Sequence, residues 1–343
     1  MNPLPPIELQ APDLSRWAGG NCGTPYVWCF DSGRPGPQVM VQALTHGNEI
    51  CGAIVLDRLL ADQAQWQVPR GRLTLAFGNL EAYARWDPAD PDRSRYVDED
   101  FNRVWADEAL CGPRDSAELR RARVLRPFVD AADLLLDLHS MREPCEALMV
   151  CGADGRGGDK GVALSRQLGV PGVLLVDTGH PSGLRMIERG AFADPRDART
   201  AVLIECGQHW ERAAADVAQD TLLRFLAHAG ALDDGYLRPR LQALTKAQTP
   251  PAPRQRLLRV TERNLVTLTR EWRPGEQMEE WFAENLNEDV GTLVWEGRAE
   301  LRWLSLGEPE GALVPVRAGL SKGEAVIDAP GNLKDGQPIE VRP

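Results

Sequence analysis

The fold class that the sequence predicts is α/β, a largely parallel sheet covered by helices, with a small all-β domain after it. Three observations lead there. Between about Val39 and Gly230, short apolar runs alternate with stretches of helical periodicity, the pattern of strands joined through helices. The runs are apolar on both faces, as strands lying under two helix layers must be. From "TKAQTPPAPRQR" onward the chain changes to short β-type runs separated by Gly, Pro and Asn.

Taken in order, "VMVQALT" reads as a strand and Ile50 to Gln63 as the helix after it, then "RLTLAFGNL" as a strand. Ser116 to Ala132 reads as a helix that Pro127 should kink or end early, because its ring lacks an N–H and crowds the preceding turn. "ADLLLDLHS" and "EALMVCG" are strands, Lys160 to Leu168 a helix, "GVLLVD" and "TAVLIECG" strands, and Arg212 to His228 a helix. Three prolines in "PPAP" form an extended linker. Beyond it, "LLRVTERNLVTLTR", "GTLVWEGRAELRWLSL", "GALVPVRAG", "EAVIDAP" and "QPIEVRP" are β-type. The 343 residues thus divide into a larger domain, 1–245, and a β-rich one, 254–343.

The formal net charge of -11 argues against a nucleic-acid surface or a polybasic membrane anchor, since both need a positive field. A small molecule or peptide is the favoured partner. Only four of the 39 basic residues are Lys, so a lone Arg is weak evidence for a designed carboxylate clamp. The seven cysteines contain no CxxC pair, which suggests neither a disulfide framework nor a thiolate zinc knuckle and fits a reducing cytoplasm. "MNPLPPIELQAPDLSRW" lacks the basic and apolar regions of a signal peptide, and no window is apolar enough for a membrane span, so the expectation is a soluble cytoplasmic protein.

Five histidines, at 46, 139, 180, 209 and 228, are available to a metal. His46 in "ALTHGNE", His139 in "LLLDLHS" and Glu205 in "VLIECG" all fall at the carboxyl ends of expected strands, the edge where open α/β sheets build ligand sites. Two imidazoles with a carboxylate such as Glu49, and one open position, make a catalytic zinc set. An unligated carboxylate is then needed to move a proton, and Glu205 is placed for it. Asp137 shares a strand face with His139 at i, i+2 and would orient the ring. Plainer readings exist: "HGNE" as a polar turn with Glu49 favoured by the helix dipole, His139 as a satisfied core histidine, Glu205 in an ordinary salt bridge, Asp137 as a strand-end polar residue. The joint pattern is what favours a metal.

A second cluster, "RSRYVDEDFNRVW", holds Arg95, Asp98, Asp100, Asn102 and Arg103. Guanidinium forks and an amide are the parts that seat an acidic amino-acid derivative, although a mixed-charge solvated loop would look the same. "RDSAELRRARVLR" reads as an exposed helix face.

Together "THGNE", "DEDFNR", "LDLHS" and "LIECG", in this order, resemble the succinylglutamate desuccinylase/aspartoacylase family, relatives of the zinc carboxypeptidases, over most of residues 39 to 230. The resemblance implies a zinc-carboxypeptidase-like mixed sheet. It implies one zinc ion per chain on His46, Glu49 and His139, with Glu205 as general base and then general acid. Asn102 and Arg103 match the family's substrate-binding pair, and Arg95 a further substrate-contacting arginine. The implied reaction is hydrolysis of a small N-acyl amino acid to a carboxylate and a free amine, with a β-rich C-terminal domain narrowing the cleft.

The chain departs from the family in places. No Tyr follows Tyr236 to stand for the C-terminal tyrosine that aspartoacylases use near substrate; the tail has Trp272, Trp281, Trp295 and Trp303 instead. "DTGHPSGLRMIERGAF" matches neither named specificity, and His180 within it is either a pocket or a loop residue. His209 either supports the site or packs, and Arg142 meets either a substrate carboxylate or solvent. Competing readings are a metallocarboxypeptidase acting on short peptides and a non-catalytic zinc- or ligand-binding protein. Mn, Co or Fe also suits such ligands.

Overall fold

Each of the six apolar runs forms a strand in the computed structural model, which describes residues 5–180, 182–247, 255–265, 289–294, 305–306 and 316–318. In chain order the elements are β1 (Val27–Asp31), β2 (Gln38–Ala43), α1 (Ile50–Ala61), β3 (Arg72–Phe77), α2 (Leu80–Tyr83), α3 (Asp107–Cys111), α4 (Ala117–Ala131), β4 (Leu134–Met141) and β5 (Leu148–Ala153). They continue with α5 (Gly158–Leu168), β6 (Val173–Asp177), β7 (Thr200–Gln208), α6 (Arg212–Ala229), α7 (Asp234–Ala247), β8 (Arg256–Leu265), β9 (Asp289–Val294), β10 (Ser305–Leu306) and β11 (Val316–Ala318).

Among the described residues nine strands make one mixed sheet in the order β1-β3-β2-β4-β7-β5-β6-β8-β9. The four central neighbours β3, β2, β4 and β7 are parallel, β5 runs against β7, and β6 and β8 follow β5. Both sheet faces are covered, which is why β2, β4 and β7 are buried almost end to end. On one face α1, α5 and α6 pack with Val41, Leu138, Ile204 and Phe225; on the other Leu119, Leu125, Phe101, Trp105 and Met186 pack with Met40, Leu135 and Leu203. Consequently β2, β4 and β7 present their carboxyl ends side by side, and the register sets His139 directly opposite Glu205.

The helices hold two surprises for the sequence reading. Pro127 neither ends nor shortens α4, which continues to Ala131. Pro127 lies on the exposed face, while Val129 on the same last turn packs into the core. The "RDSAELRRARVLR" stretch is also less exposed than its charges suggest: Arg121 donates to the carbonyls of Phe77 and Gly78, and Arg123 to those of Leu110 and Gly112. β8, which starts just past the proline linker, pairs in parallel with β6, so the sheet runs on into the segment expected to open the small β domain. Most of that expected domain, with Trp272, Trp281, Trp295 and Trp303, lies outside the described residues.

Candidate metal centre

The chain leaves β2 at Ala43 and turns into α1 through Thr45–Asn48. A side chain at Gly47 would press on backbone alone, the carbonyl of Ser94, Tyr83 N at 2.5 Å and Ala82 C at 2.7 Å. Gly52 lets α1 lie close over β2 and β4, where a Cβ would meet those of Leu138 and Ala43 at 2.9 and 3.0 Å. Glu49 therefore arrives at the N-cap of α1 above the strand ends. It does not cap the helix: its side chain makes no hydrogen bond to the helix N–H groups. Its carboxylate turns to the imidazoles instead.

His46 Nδ1 lies 2.7 Å from Glu49 Oε1 and His139 Nδ1 lies 2.9 Å from Glu49 Oε2, with all three residues buried. The ligand-type atoms of His46, Glu49 and His139 fall within 4.8 Å of one another. The far ring nitrogens are held by carboxylates: His46 Nε2 by Asp100 Oδ1 at 2.9 Å and His139 Nε2 by Asp137 Oδ2 at 2.7 Å. Asp137 accepts from Thr45 Oγ, which accepts from Gln42, each at 2.8 Å. With both rings neutral, each Nε2–H donates outward and each Nδ1 lone pair faces Glu49. Glu49 Oε2 accepts no well-directed hydrogen bond despite its short contact. Converging lone pairs with no proton between them are a donor set that a divalent cation fits, each histidine being backed by a carboxylate.

Without a cation, a proton takes the place of the positive charge, and the neighbouring groups favour it there. Burial alone would lower His139, yet the carboxylates of Asp137 and Glu49 raise it well above the ordinary histidine range. Burial would raise Glu49, but His139 and His46 hold it below the usual carboxylate range. Asp100, likewise, is held low against burial by His46, Arg103 and Arg95.

Glu205 stands beside His139 on β7 and makes no ligand-type contact with the cluster. Burial pushes its pKa well above the carboxylate norm, and Glu49 adds to that; its Oε2 has no hydrogen-bond partner among the described residues. A carboxyl group ready to hold a proton thus adjoins the candidate metal ligands. His209 is buried on the same side, with Nδ1 2.9 Å from Ser140 Oγ, and burial lowers its pKa to about 3, so it is a neutral support for this wall.

The "RSRYVDEDFNRVW" cluster is no solvated loop. Glu118, fully buried in the first turn of α4, accepts from Val97 N, Asp98 N, Glu99 N and Asn79 Nδ2, and Asp98 returns a bond from Ala117 N. This pins the loop so that Asp100 reaches His46. Arg95 Nη2 lies 3.4 Å and Arg103 Nη2 4.0 Å from Asp100 Oδ2, which brings both arginines to the metal cluster. Asn102 is buried; its Oδ1 accepts from Met186 N at 3.1 Å. Arg142 is half-exposed and pairs with Asp92 and Glu143, and His180 Nδ1 accepts from Ser182 N. Neither is drawn into the metal cluster.

Sequence reasoning gave Asp100 and Glu118 no role. Their partners are far along the chain, and the available signals were the carboxylate two before Asn102 and the acidic residue in a helix's first turn.

Fold and site together define a helix-covered α/β protein with a candidate three-ligand metal centre at the carboxyl edge of its central parallel strands. The sequence model of the succinylglutamate desuccinylase/aspartoacylase catalytic domain matches residues 35–229. The chain belongs to that family, whose members named for desuccinylase and aspartoacylase activity are hydrolases. The chain is similar in structure to a succinylglutamate desuccinylase from Chromobacterium violaceum, at 20% identity and TM-score 0.50, over 72% of this chain and 77% of that one. A succinylglutamate desuccinylase/aspartoacylase from Rhodobacter sphaeroides is 19% identical at TM-score 0.47, over 67% of this chain and 64% of its own length. The product-bound ectoine utilization protein EutE (DoeB) from Ruegeria pomeroyi is 16% identical at TM-score 0.46, over 69% of this chain and 66% of that one. No curated protein was found to match in sequence. Among the described residues no helix is long and apolar enough to cross a membrane.

Proposed function

We propose that the chain is a zinc-dependent amidohydrolase that cleaves the amide bond of a small N-acyl amino acid, with catalysis carried by residues 1–245. The observation that carries this reading is the pair of imidazoles that turn Nδ1 toward Glu49 while Asp100 and Asp137 take Nε2. His46, Glu49 and His139 would hold the ion. When bound, zinc would supply Lewis acidity, polarising the amide carbonyl and acidifying a water.

The remaining work falls to the chain's own residues. Glu205, as the carboxylate, takes the proton of the attacking water and passes it to the departing amide nitrogen; burial raises its proton affinity, which suits it to hold that proton between the two steps. Asp137 and Asp100 keep both rings in the tautomer that leaves Nδ1 unprotonated. Arg95, near Glu205 and Asp100, would stabilise the negative charge that develops on the carbonyl oxygen. Arg103 and the Asn102 amide group hold a substrate carboxylate.

The test is turnover of a panel that includes N-succinyl-L-glutamate, N-acetyl-L-aspartate and short peptides, before and after chelation and zinc restoration. Hydrolysis of an N-acyl amino acid that is lost and regained with the metal supports the proposal. Preference for peptides would favour a carboxypeptidase, and metal binding with no turnover a binding protein.

A further inference from the structure

The segment after β6, "DTGHPSGLRMIERG", has no part in the chemistry above, yet it buries a guanidinium between two carboxylates. Arg185 grips Asp177 with both terminal nitrogens, at 2.6 and 2.8 Å, and Glu188 Oε2 through Nε at 2.9 Å; all three side chains are buried. Asp177 is the last residue of β6 and lies level with Ala153, at the opposite edge of the sheet from Glu205. From there the chain returns across the sheet face toward the site. The clamp closes the base of that return, and Gly179 is required in it, because a Cβ there would lie 2.9 Å from Glu188 Oε1 at a φ of +80°.

The far side of the same loop is tied to Asn102–Trp105. Met186 N donates to Asn102 Oδ1, Trp105 N donates to Leu184 O at 3.2 Å, Val104 and Leu184 form a parallel bridge, and Gly183 packs on the carbonyl of Arg103. Burying three charges is a poor route to stability, since apolar packing of the same volume often does as well. The clamp does supply rigidity and a net negative charge, two carboxylates against one guanidinium. The loop thus packs on the backbone of Arg103, whose Nη2 lies 4.0 Å from Asp100 Oδ2.

We infer that Arg185, clamped by Asp177 and Glu188, is a positioning residue for Arg103: it holds the loop that packs on the Arg103 backbone, and so sets how Arg103 meets a carboxylate of the bound molecule. The inference rests on the assignment of Arg103 as a carboxylate-binding residue in the proposed function. It also gives the unmatched loop sequence a purpose: selectivity is set by how firmly Arg103 is held. Arg185→Lys keeps the charge but loses the bidentate geometry, and Glu188→Gln keeps the shape but loses the charge.

The experiment measures succinate binding by calorimetry to the zinc-loaded wild type, R185K and E188Q, with the neutral diamide as control and metal content as the check on the site. The expected result is succinate affinity reduced roughly tenfold or more in both variants, as for a lost charge-assisted hydrogen bond, with zinc content and diamide binding unchanged. Where the wild type turns over an acyl amino acid, KM should rise by a similar factor while kcat stays within about threefold. If R185K does not fold, the isosteric E188Q decides alone. Folded variants that bind succinate like the wild type overturn the inference, as does a wild type that does not bind it. Failure of the wild type to hydrolyse any N-acyl amino acid would instead count against the amidohydrolase reading, and the binding comparison would still decide the role of Arg185.

Discussion

Asp137→Asn is the most informative single change in the candidate metal site. Asp137 is completely buried and receives two donors, His139 Nε2–H at 2.7 Å and the Thr45 hydroxyl at 2.8 Å; that hydroxyl is committed, because Thr45 Oγ already accepts from Gln42. An asparagine offers one oxygen and one NH2 group to these two donors. If the NH2 faces His139, Nε2 must become the acceptor and the ring proton moves to Nδ1, the atom aimed at Glu49, where it blocks metal ligation. If it faces Thr45, a buried hydroxyl is left without an acceptor. Either mismatch costs about 1–3 kcal/mol, and the first falls directly on metal affinity. The expected outcome is zinc affinity lowered roughly 10- to 100-fold, with kcat/KM falling in parallel under limiting zinc. A competitive chelator titration of wild type and variant measures it. A folded Asp137→Asn protein that binds zinc within about twofold of wild type would refute the argument that this carboxylate sets the His139 tautomer.

Other consequences follow from single residues. Glu205→Gln should keep its zinc and lose roughly 10²- to 10⁴-fold in kcat; full turnover would remove Glu205 as the proton carrier. Gly47→Ala forces a methyl group against the backbone of Ser94, Tyr83 and Ala82, so a thermal scan should show a midpoint lower by several degrees and a zinc titration a weaker site. His209 has a folded pKa of about 3 against an ordinary value of 6.5, so below pH 6.5 the unfolded chain binds the extra proton. Its contribution is present above 6.5 and fades as pH falls toward 3; stability measured against pH should therefore decline less steeply on the acid side in His209→Gln than in wild type. Lys160 donates to four backbone carbonyls, of Ala191, Asp194, Asp197 and Arg199, at 2.7–3.0 Å, and Lys160→Met should lower the thermal midpoint while leaving zinc affinity within about twofold.

The sequence was legible where the cause was local. β2, β4 and β7 declare themselves because burial on both faces leaves nearly unbroken apolar runs, and the polar residues that interrupt them, Asp137, His139 and Glu205, stand out for that reason. His46 and Glu49 were readable from a strand-to-helix turn. Partners distant in sequence were not: Asp100 meets His46 across 54 positions and Glu118 meets Val97 across 21, and no spacing rule links either pair. The proline in α4 misled for a definite reason, since its penalty depends on which face it occupies and a one-dimensional reading does not fix that. Arg185 was invisible in a chain where arginine is the default cation; only its two carboxylates and its burial set it apart. The pairing of β8 with β6 is likewise a long-range choice, made by an exposed strand edge rather than by the linker composition.

The central claim is that His46, Glu49 and His139 hold one zinc ion through the two Nδ1 atoms and a carboxylate oxygen. It is tested most directly by anomalous diffraction at the zinc edge on crystals of the zinc-reconstituted protein. The account predicts a single strong peak about 2.0–2.1 Å from Nδ1 of both histidines and about 2.0–2.2 Å from Glu49, with Glu205 outside the coordination sphere. A peak bound through Nε2, a peak that takes Glu205 as a ligand, or no peak at this cluster would contradict it.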